Sequence, residues 1–374
     1  MSLHIIHLMA NNSSVPYFNW FAEEARLHPE VRLTFVALHS ERPKMLDDMQ
    51  ARGSRCIWIP FDDKRRKLSV LKAIPALRRL FKKERPDAVH VHLFDDALPG
   101  LIAAKLAGVK VRVITKQDTT FHWYYAPKGV KFDRLNNRLA THLVAVSEEC
   151  KKFILEKEHA DPAKLHLIHH GIPPEQSGAQ TEERKQNLRE RFAAKDRFVI
   201  GTVARLIEWK GYRLIIDAAE QLVKEHPQLL FLFAGEGGQK EELERLVKEK
   251  KLEQHVRFTG WIERADIPSF YGIMDTYLHA AAFEPFGFVI AEAMLNGAPV
   301  VSTATGAAAD AIVTGENGYL VSERSAAALA EGIRFMLQAD RKTIGEKGRQ
   351  AALQKYAFRN MWNGYINLYR EALK

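Results

Sequence analysis

Short apolar runs recur along this chain, each stopped by a polar or glycine-bearing loop and followed by a stretch of helical period. In the first half the runs are His4-Ile5-Ile6-His7-Leu8-Met9, residues 31–38, residues 86–94, Val111-Arg112-Val113-Ile114-Thr115 and His142-Leu143-Val144-Ala145-Val146, with helices expected over 17–27, 97–107 and 133–140. Residues 176–186 are polar and have the composition of a linker. The alternation then starts again, with strands at Phe198-Val199-Ile200-Gly201-Thr202-Val203, 229–234, 276–280 and Pro299-Val300-Val301-Ser302-Thr303. Strands alternating with helices predict βαβ units and a parallel sheet, here built twice. The 374 residues suit two domains at about 150 residues each, and 46% hydrophobic content supports two full-sized cores.

Composition excludes several classes. Two cysteines, Cys56 and Cys150, make no disulfide scaffold and no metal spacing, so a reducing cytoplasm is the expected compartment. The first residues show neither a basic n-region nor a cleavage site, and no apolar run reaches the ~18 residues of a membrane span. A net charge of +9 points to an anionic partner. Nucleic acid is not that partner, for no zinc finger, RNP pattern or basic zipper is present.

The chemistry concentrates in residues 283–301. Pro285 and Gly287 mark a loop, Phe288 to Asn296 reads as a short helix, and Gly297 and Pro299 end it. A helix N-terminus offers free N–H groups and partial positive charge, a seat for a diphosphate at Gly287, Phe288 and Val289. Glu284 precedes that seat and Glu292 follows it, each able to accept hydrogen bonds from vicinal hydroxyls. Two sugars joined by a diphosphate fit such a layout. Arg205 and Lys210 stand in the loop after the first strand of the second half, where fixed cations would stabilise charge on a leaving oxygen.

The Glu-x7-Glu spacing around Pro-Phe-Gly-Phe, with Arg205 and Lys210 upstream, resembles the retaining GT-B glycosyltransferases of family GT4. The resemblance implies an α/β GT-B fold, two Rossmann-like domains facing each other across a cleft. It implies an acceptor-binding domain over 1–175, a nucleotide-sugar domain over 190–356, and a C-terminal helix, 357–374, packing back on the first. By resemblance Glu284 contacts the transferred sugar, Glu292 grips the ribose, and Arg205 and Lys210 bind the phosphates with no metal or other cofactor. The glycines of Gly235-Glu236-Gly237-Gly238 either make a tight strand–helix turn or line the nucleotide site, and Gly260-Trp261-Ile262 resembles the segment whose backbone meets the base. Gly306 to Asp310 resembles the family's Gly-Gly-x-x-Glu, with Ala307 and Asp310 as departures. The function implied is transfer of a sugar from a nucleotide-diphosphate sugar, a UDP-sugar favoured and GDP-mannose possible, to a cell-envelope glycan, a glycolipid or another hydroxyl. An epimerase or hydrolase on the same fold, and a non-catalytic binding protein, are the alternatives.

In the first half, His92 and Asp118 are the acceptor-side candidates, lying at or just beyond strand ends where parallel sheets bind ligands. Family members often place a histidine shortly after the strand ending Ile114-Thr115; either Gln117, at that spacing, or His122, five residues on, takes the role. His90 and His92 are expected to face opposite sides of their strand, which speaks against a shared metal. Residues 64–85 are basic and amphipathic, with Val70, Ile74, Leu77 and Phe81 at helical spacing and Pro75 either kinking the helix or starting a second one. That segment either packs as a domain helix or holds the enzyme peripherally at an anionic membrane on the cytoplasmic side.

Overall fold

The computed structural model describes residues 2–10, 16–117, 120–173 and 180–374. Two compact units divide the chain, Met1–His169 with Met361–Lys374, and His170–Asn360. Each is a parallel sheet with helices, so the expectation of two Rossmann-like α/β domains holds.

The first unit begins with β1 (Leu3–Met9), α1 (Pro16–Ala25), β2 (Val31–His39), α2 (Met45–Ala51), β3 (Arg55–Pro60) and α3 (Arg66–Glu84). It continues with β4 (Ala88–Val91), α4 (Phe94–Ala107), β5 (Val111–Lys116), α5 (Thr120–Tyr125), α6 (Val130–Leu139), β6 (His142–Ala145), α7 (Glu148–Glu156) and β7 (Leu165–Leu167). The sheet order is β3-β2-β1-β4-β5-β6-β7. The chain winds outward from β1 to β3 and then returns to lay β4 on the other side of β1, with Ile5 opposite both Leu33 and Ala88. Every β1 residue is buried, as a strand covered on both faces requires.

The second unit runs α8 (Glu182–Arg191), β8 (Phe198–Val203), α9 (Tyr212–Leu222), β9 (Leu229–Ala234), α10 (Lys240–Glu249), β10 (Val256–Gly260), α11 (Ile267–Gly272) and β11 (Thr276–His279). It ends with α12 (Phe288–Leu295), β12 (Val300–Ser302), α13 (Gly306–Ala311), β13 (Tyr319–Leu320), α14 (Ala326–Gln338) and α15 (Arg341–Tyr356). Its sheet order is β10-β9-β8-β11-β12-β13, which puts the reversal between β8 and β11. The last helix, α16 (Phe358–Ala372), sends Tyr365 and Tyr369 into the first unit, where they reach Thr115 at 2.8 Å and His90 at 2.6 Å.

Several local expectations change. The segment read as a linker runs into α8: Thr181 caps the helix, and Leu188, two residues past the linker's expected end, anchors it; Phe192, just past its end, meets Phe270 edge-on at 5.9 Å. The helix is so polar because it buries only that one leucine. Pro75 neither breaks nor restarts α3, which runs through it and turns Ser69, Ala73, Leu77 and Phe81 inward. The strand expected to reach Phe94 stops at Val91, because the Asp96 carboxylate folds back to accept the backbone N–H groups of His92 and Leu93 and starts α4 early.

Candidate active site

In open α/β sheets ligands bind beyond the carboxyl ends of the strands, where the strand order reverses. In the second unit that point is flanked by the loops leaving β8 and β11, and these carry the expected residues. The β8 loop turns back at Gly211, whose φ of 77° is left-handed. A Cβ there would lie 2.2 Å from the Ala280 carbonyl oxygen, so only glycine lets the two loops close. Ala282 N–H then donates to Trp209 O at 2.7 Å, and the Trp209 and Phe283 rings stack at 5.8 Å. This stitching brings Lys210 Nζ onto Glu284 Oε1 as a close ion pair, both side chains about nine-tenths buried (12% and 10% exposed).

Burial, and behind it the charge of Arg205, push the Lys210 ammonium down to about 8. Arg205 is itself exposed and makes no ion pair among the described residues. Glu284 Oε1 has a second neighbour that the sequence reading missed. His279, the last residue of β11, places Nε2 3.4 Å away. No local pattern marks it; its one signal is its place at a strand end five residues before Glu284.

Gly287 caps α12 with φ 83°, and Phe288 and Val289 open the helix, so the backbone seat for an anion has the expected form. Glu292, one turn on, does not join Glu284. It turns toward α11, where the Tyr271 hydroxyl lies within reach of Glu292 Oε2 at 3.3 Å and of the Val289 carbonyl at 3.2 Å. Burial raises the Glu292 carboxyl, against the pull of Arg264 and the Tyr271 hydroxyl. Gly306 presses on the same loop from the other side: its Cβ would sit 2.2 Å from Phe286 O, and Ala307 N–H donates to that oxygen at 2.7 Å.

The glycines after β9 have a definite steric task. Cβ atoms at Gly235 and Gly237 would lie 2.1 Å from Ala204 O and 2.4 Å from Leu206 O. Leu206 N–H donates to Glu236 O, and Gln239 N–H to Leu206 O, each at 3.0 Å. The glycine loop therefore interlocks with the loop carrying Arg205. Ile262 is buried at 5% exposure beside the exposed Trp261.

In the first unit the reversal lies between β1 and β4, and His92 stands just past β4. Gln117 Nε2 donates to His92 Nδ1 at 3.3 Å, and His92 Nε2 donates to His7 Nδ1 at 2.9 Å. Burial lowers His7 to about 3, so its ring is neutral. The expectation that His90 and His92 face opposite sides is wrong. Side chains repeat every two residues along a strand, so residues two apart share a face, and the rings stack 4.1 Å apart. His7, His90 and His92 form a buried trio, but both His90 nitrogens are already bonded, to Tyr369 OH and to Thr115 Oγ1 at 2.7 Å.

His122 bonds to a different partner from Gln117. Its Nδ1 donates to Asp133 Oδ2 at 2.9 Å, within a buried set in which Lys116 Nζ lies 2.9 Å from Glu158 and 3.9 Å from Asp133. Burial raises the Asp133 carboxyl, with Lys116 opposing. Asp118 lies outside the described residues.

Comparison with known proteins gives the family and the fold. Residues 183–351 match the family described as glycosyl transferases group 1, and residues 26–176 match glycosyltransferase family 4. The chain is 26% identical over 386 aligned residues to the Staphylococcus aureus capsular polysaccharide biosynthesis glycosyltransferase CapM, covering 99% of this chain and 97% of that one. It is 27% identical to the Escherichia coli UDP-Gal:alpha-D-GlcNAc-diphosphoundecaprenol alpha-1,3-galactosyltransferase, over 62% of this chain and 61% of that one. Among solved structures, Anabaena Alr3699/HepE in complex with UDP and glucose superposes with a TM-score of 0.81 at 21% identity, covering 99% and 100% of the two chains.

Proposed function

Because the chain belongs to the group 1 and family 4 glycosyltransferases, we propose that it transfers a sugar from a nucleotide-diphosphate sugar to a hydroxyl of a cell-envelope glycan or glycolipid, with retention at the anomeric carbon. The observation that carries this reading is the Lys210–Glu284 pair at the strand-order reversal, beside the open N-terminus of α12. The diphosphate takes the helix N–H groups, Arg205 and Lys210. Glu292 accepts from the ribose hydroxyls and Glu284 from the sugar. Charge that builds on the leaving phosphate meets two cations and a helix dipole, the largest stabilising element in most such reactions. These groups can do the work often given to a divalent metal, and the reading requires none. The leaving phosphate takes the acceptor's proton on the same face, so no protein nucleophile is needed.

A UDP-sugar is the favoured donor, with GDP-mannose second; the UDP bound to Alr3699/HepE and the UDP-galactose in the Escherichia coli relative's name support the order. The first unit is assigned the acceptor, with His92, Gln117 and His122 as its polar groups. A thermal-shift screen of UDP-, GDP- and ADP-sugars identifies the donor, since a ligand that binds only the folded state raises its melting point. Product NMR with that donor then shows the anomeric configuration retained, and the rate survives excess EDTA. An inverted product, or activity lost to EDTA and restored by manganese, overturns the mechanism; free nucleotide diphosphate without glycosylated product points to a hydrolase.

A further inference from the structure

Glu284 Oε1 is approached by two groups, Lys210 Nζ and His279 Nε2, and no described residue hydrogen-bonds Oε2. His279 is 1% exposed, and its buried Nε2 makes no hydrogen bond in the free protein, with Glu284 Oε1 3.4 Å away. Its Nδ1 lies 3.2 Å from the Tyr277 hydroxyl. That hydroxyl also lies 3.3 Å from the Val203 carbonyl, so its one proton has two acceptors to choose between. An ionised carboxylate only accepts hydrogen bonds, so the contact with Glu284 is favourable with the proton on Nε2, the tautomer in which Nδ1 takes the Tyr277 proton in place of the Val203 carbonyl. The backbone holds the ring in place: β11 pairs with β12, and Thr303 N–H donates to His279 O at 3.0 Å.

We propose that His279 is the positioning residue for Glu284: its Nε2–H holds Oε1 and so turns Oε2 toward the hydroxyls of the transferred sugar. The proposal rests on the assignment of Glu284 to that sugar. Lys210 cannot serve alone, because the diphosphate draws on the same ammonium. An imidazole fixed at the end of a strand stays behind when Lys210 turns to phosphate. Burial, and after it the Lys210 charge, hold His279 down at about 3, so it donates as a neutral group and does not compete for the diphosphate.

The test uses the full chain with UDP and UDP-glucose as calorimetric probes and compares His279→Leu with His279→Gln, which keeps an N–H donor. His279→Leu is expected to bind UDP within about twofold of wild type while the advantage of UDP-glucose over UDP falls about tenfold. His279→Gln recovers most of that advantage, and Glu284→Ala combined with His279→Leu loses no more than Glu284→Ala alone. An intact UDP-glucose advantage in His279→Leu, or an equal loss for both probes, overturns the proposal. Nitrogen-15 NMR of the His279 ring gives a second readout. It shows the Nε2–H tautomer, with a resonance that moves in Glu284→Ala; the Nδ1–H tautomer, or a resonance blind to Glu284, refutes the role. If wild type shows no preference for UDP-glucose over UDP, the Glu284 assignment fails for that donor, and the ring tautomer alone decides whether His279 holds the carboxylate. If His279→Leu does not fold, His279→Gln and the wild-type spectrum carry the test.

Discussion

Lys210 is the residue whose charge the site can least spare, and its surroundings make that charge sensitive to pH. Burial first, then Arg205, bring the ammonium down to about 8. Below that pH it is charged and attracts a diphosphate; above it the proton leaves and the attraction goes with it. Affinity for a nucleoside diphosphate should therefore fall as pH rises through about 8, by no more than tenfold per unit for one proton. Lys210→Arg, which keeps its charge throughout, should flatten the profile. Calorimetry between pH 6.5 and 9.5 checks this, and a wild-type profile flat to 9.5 counts against Lys210 as the phosphate ligand. The residues of this site were unevenly legible. Glu284, Arg205 and Lys210 could be found because each lies in a short stretch whose loop and helix signals are local. His279 could not, since its function depends on a carboxylate five residues on that arrives only when the β8 and β11 loops close. The fate of His122 was hidden too, for its partner Asp133 comes from the next helix, with no spacing rule between them.

At the scale of elements, loop closure is the step most exposed to test. Gly211 sits at φ 77° with the Ala280 carbonyl against it. Gly211→Ala costs about 1–2 kcal/mol for a left-handed side-chain residue, and the clash adds to it. The melting temperature should drop by several degrees, and binding of a nucleotide-sugar should weaken because the loop no longer sets Lys210 where the diphosphate binds. An unchanged melting point and affinity would show that the loops close without glycine. Helix α3 tests a different property. Its inward face is Ser69, Ala73, Leu77 and Phe81, while Leu68 and Leu71 stay 45% and 67% exposed among basic side chains. Each Lys or Arg near an anionic bilayer contributes about 1 kcal/mol. The protein is expected to sediment with anionic liposomes at low salt and to leave neutral ones alone. Replacing Arg78, Arg79, Lys82 and Lys83 by Ser should abolish this while donor binding persists. Protein that stays in the supernatant with anionic vesicles makes a soluble anionic acceptor the better account of the charge. The strands were readable because buried parallel strands are nearly all apolar. Helix α8 was not, because a helix that buries one leucine looks like a linker in composition.

Across the whole molecule, one architecture is used twice and loaded differently. The reversal of strand order in the first unit carries imidazoles and hydroxyls around His92, whereas the reversal in the second carries the Lys210–Glu284 ion pair and a helix N-terminus. Among the described residues no helix is long and apolar enough to cross a membrane. The twofold alternation that implied this architecture is a property of the whole chain, so it survived the local errors at α8 and Pro75. What the sequence could not disclose is how two carboxylates eight positions apart part company, Glu284 to Lys210 and Glu292 to Tyr271. That separation is the central claim in structural form: one acid for the sugar, one for the nucleoside. The direct measurement is calorimetric titration of wild type, Glu284→Ala and Glu292→Ala with the best nucleotide-sugar of the screen and with its nucleoside diphosphate. Glu292→Ala should weaken both ligands by about 1–3 kcal/mol, and Glu284→Ala should weaken the nucleotide-sugar by a similar amount and spare the diphosphate. Diphosphate binding left unchanged by both substitutions, or lost equally in both, would contradict the account.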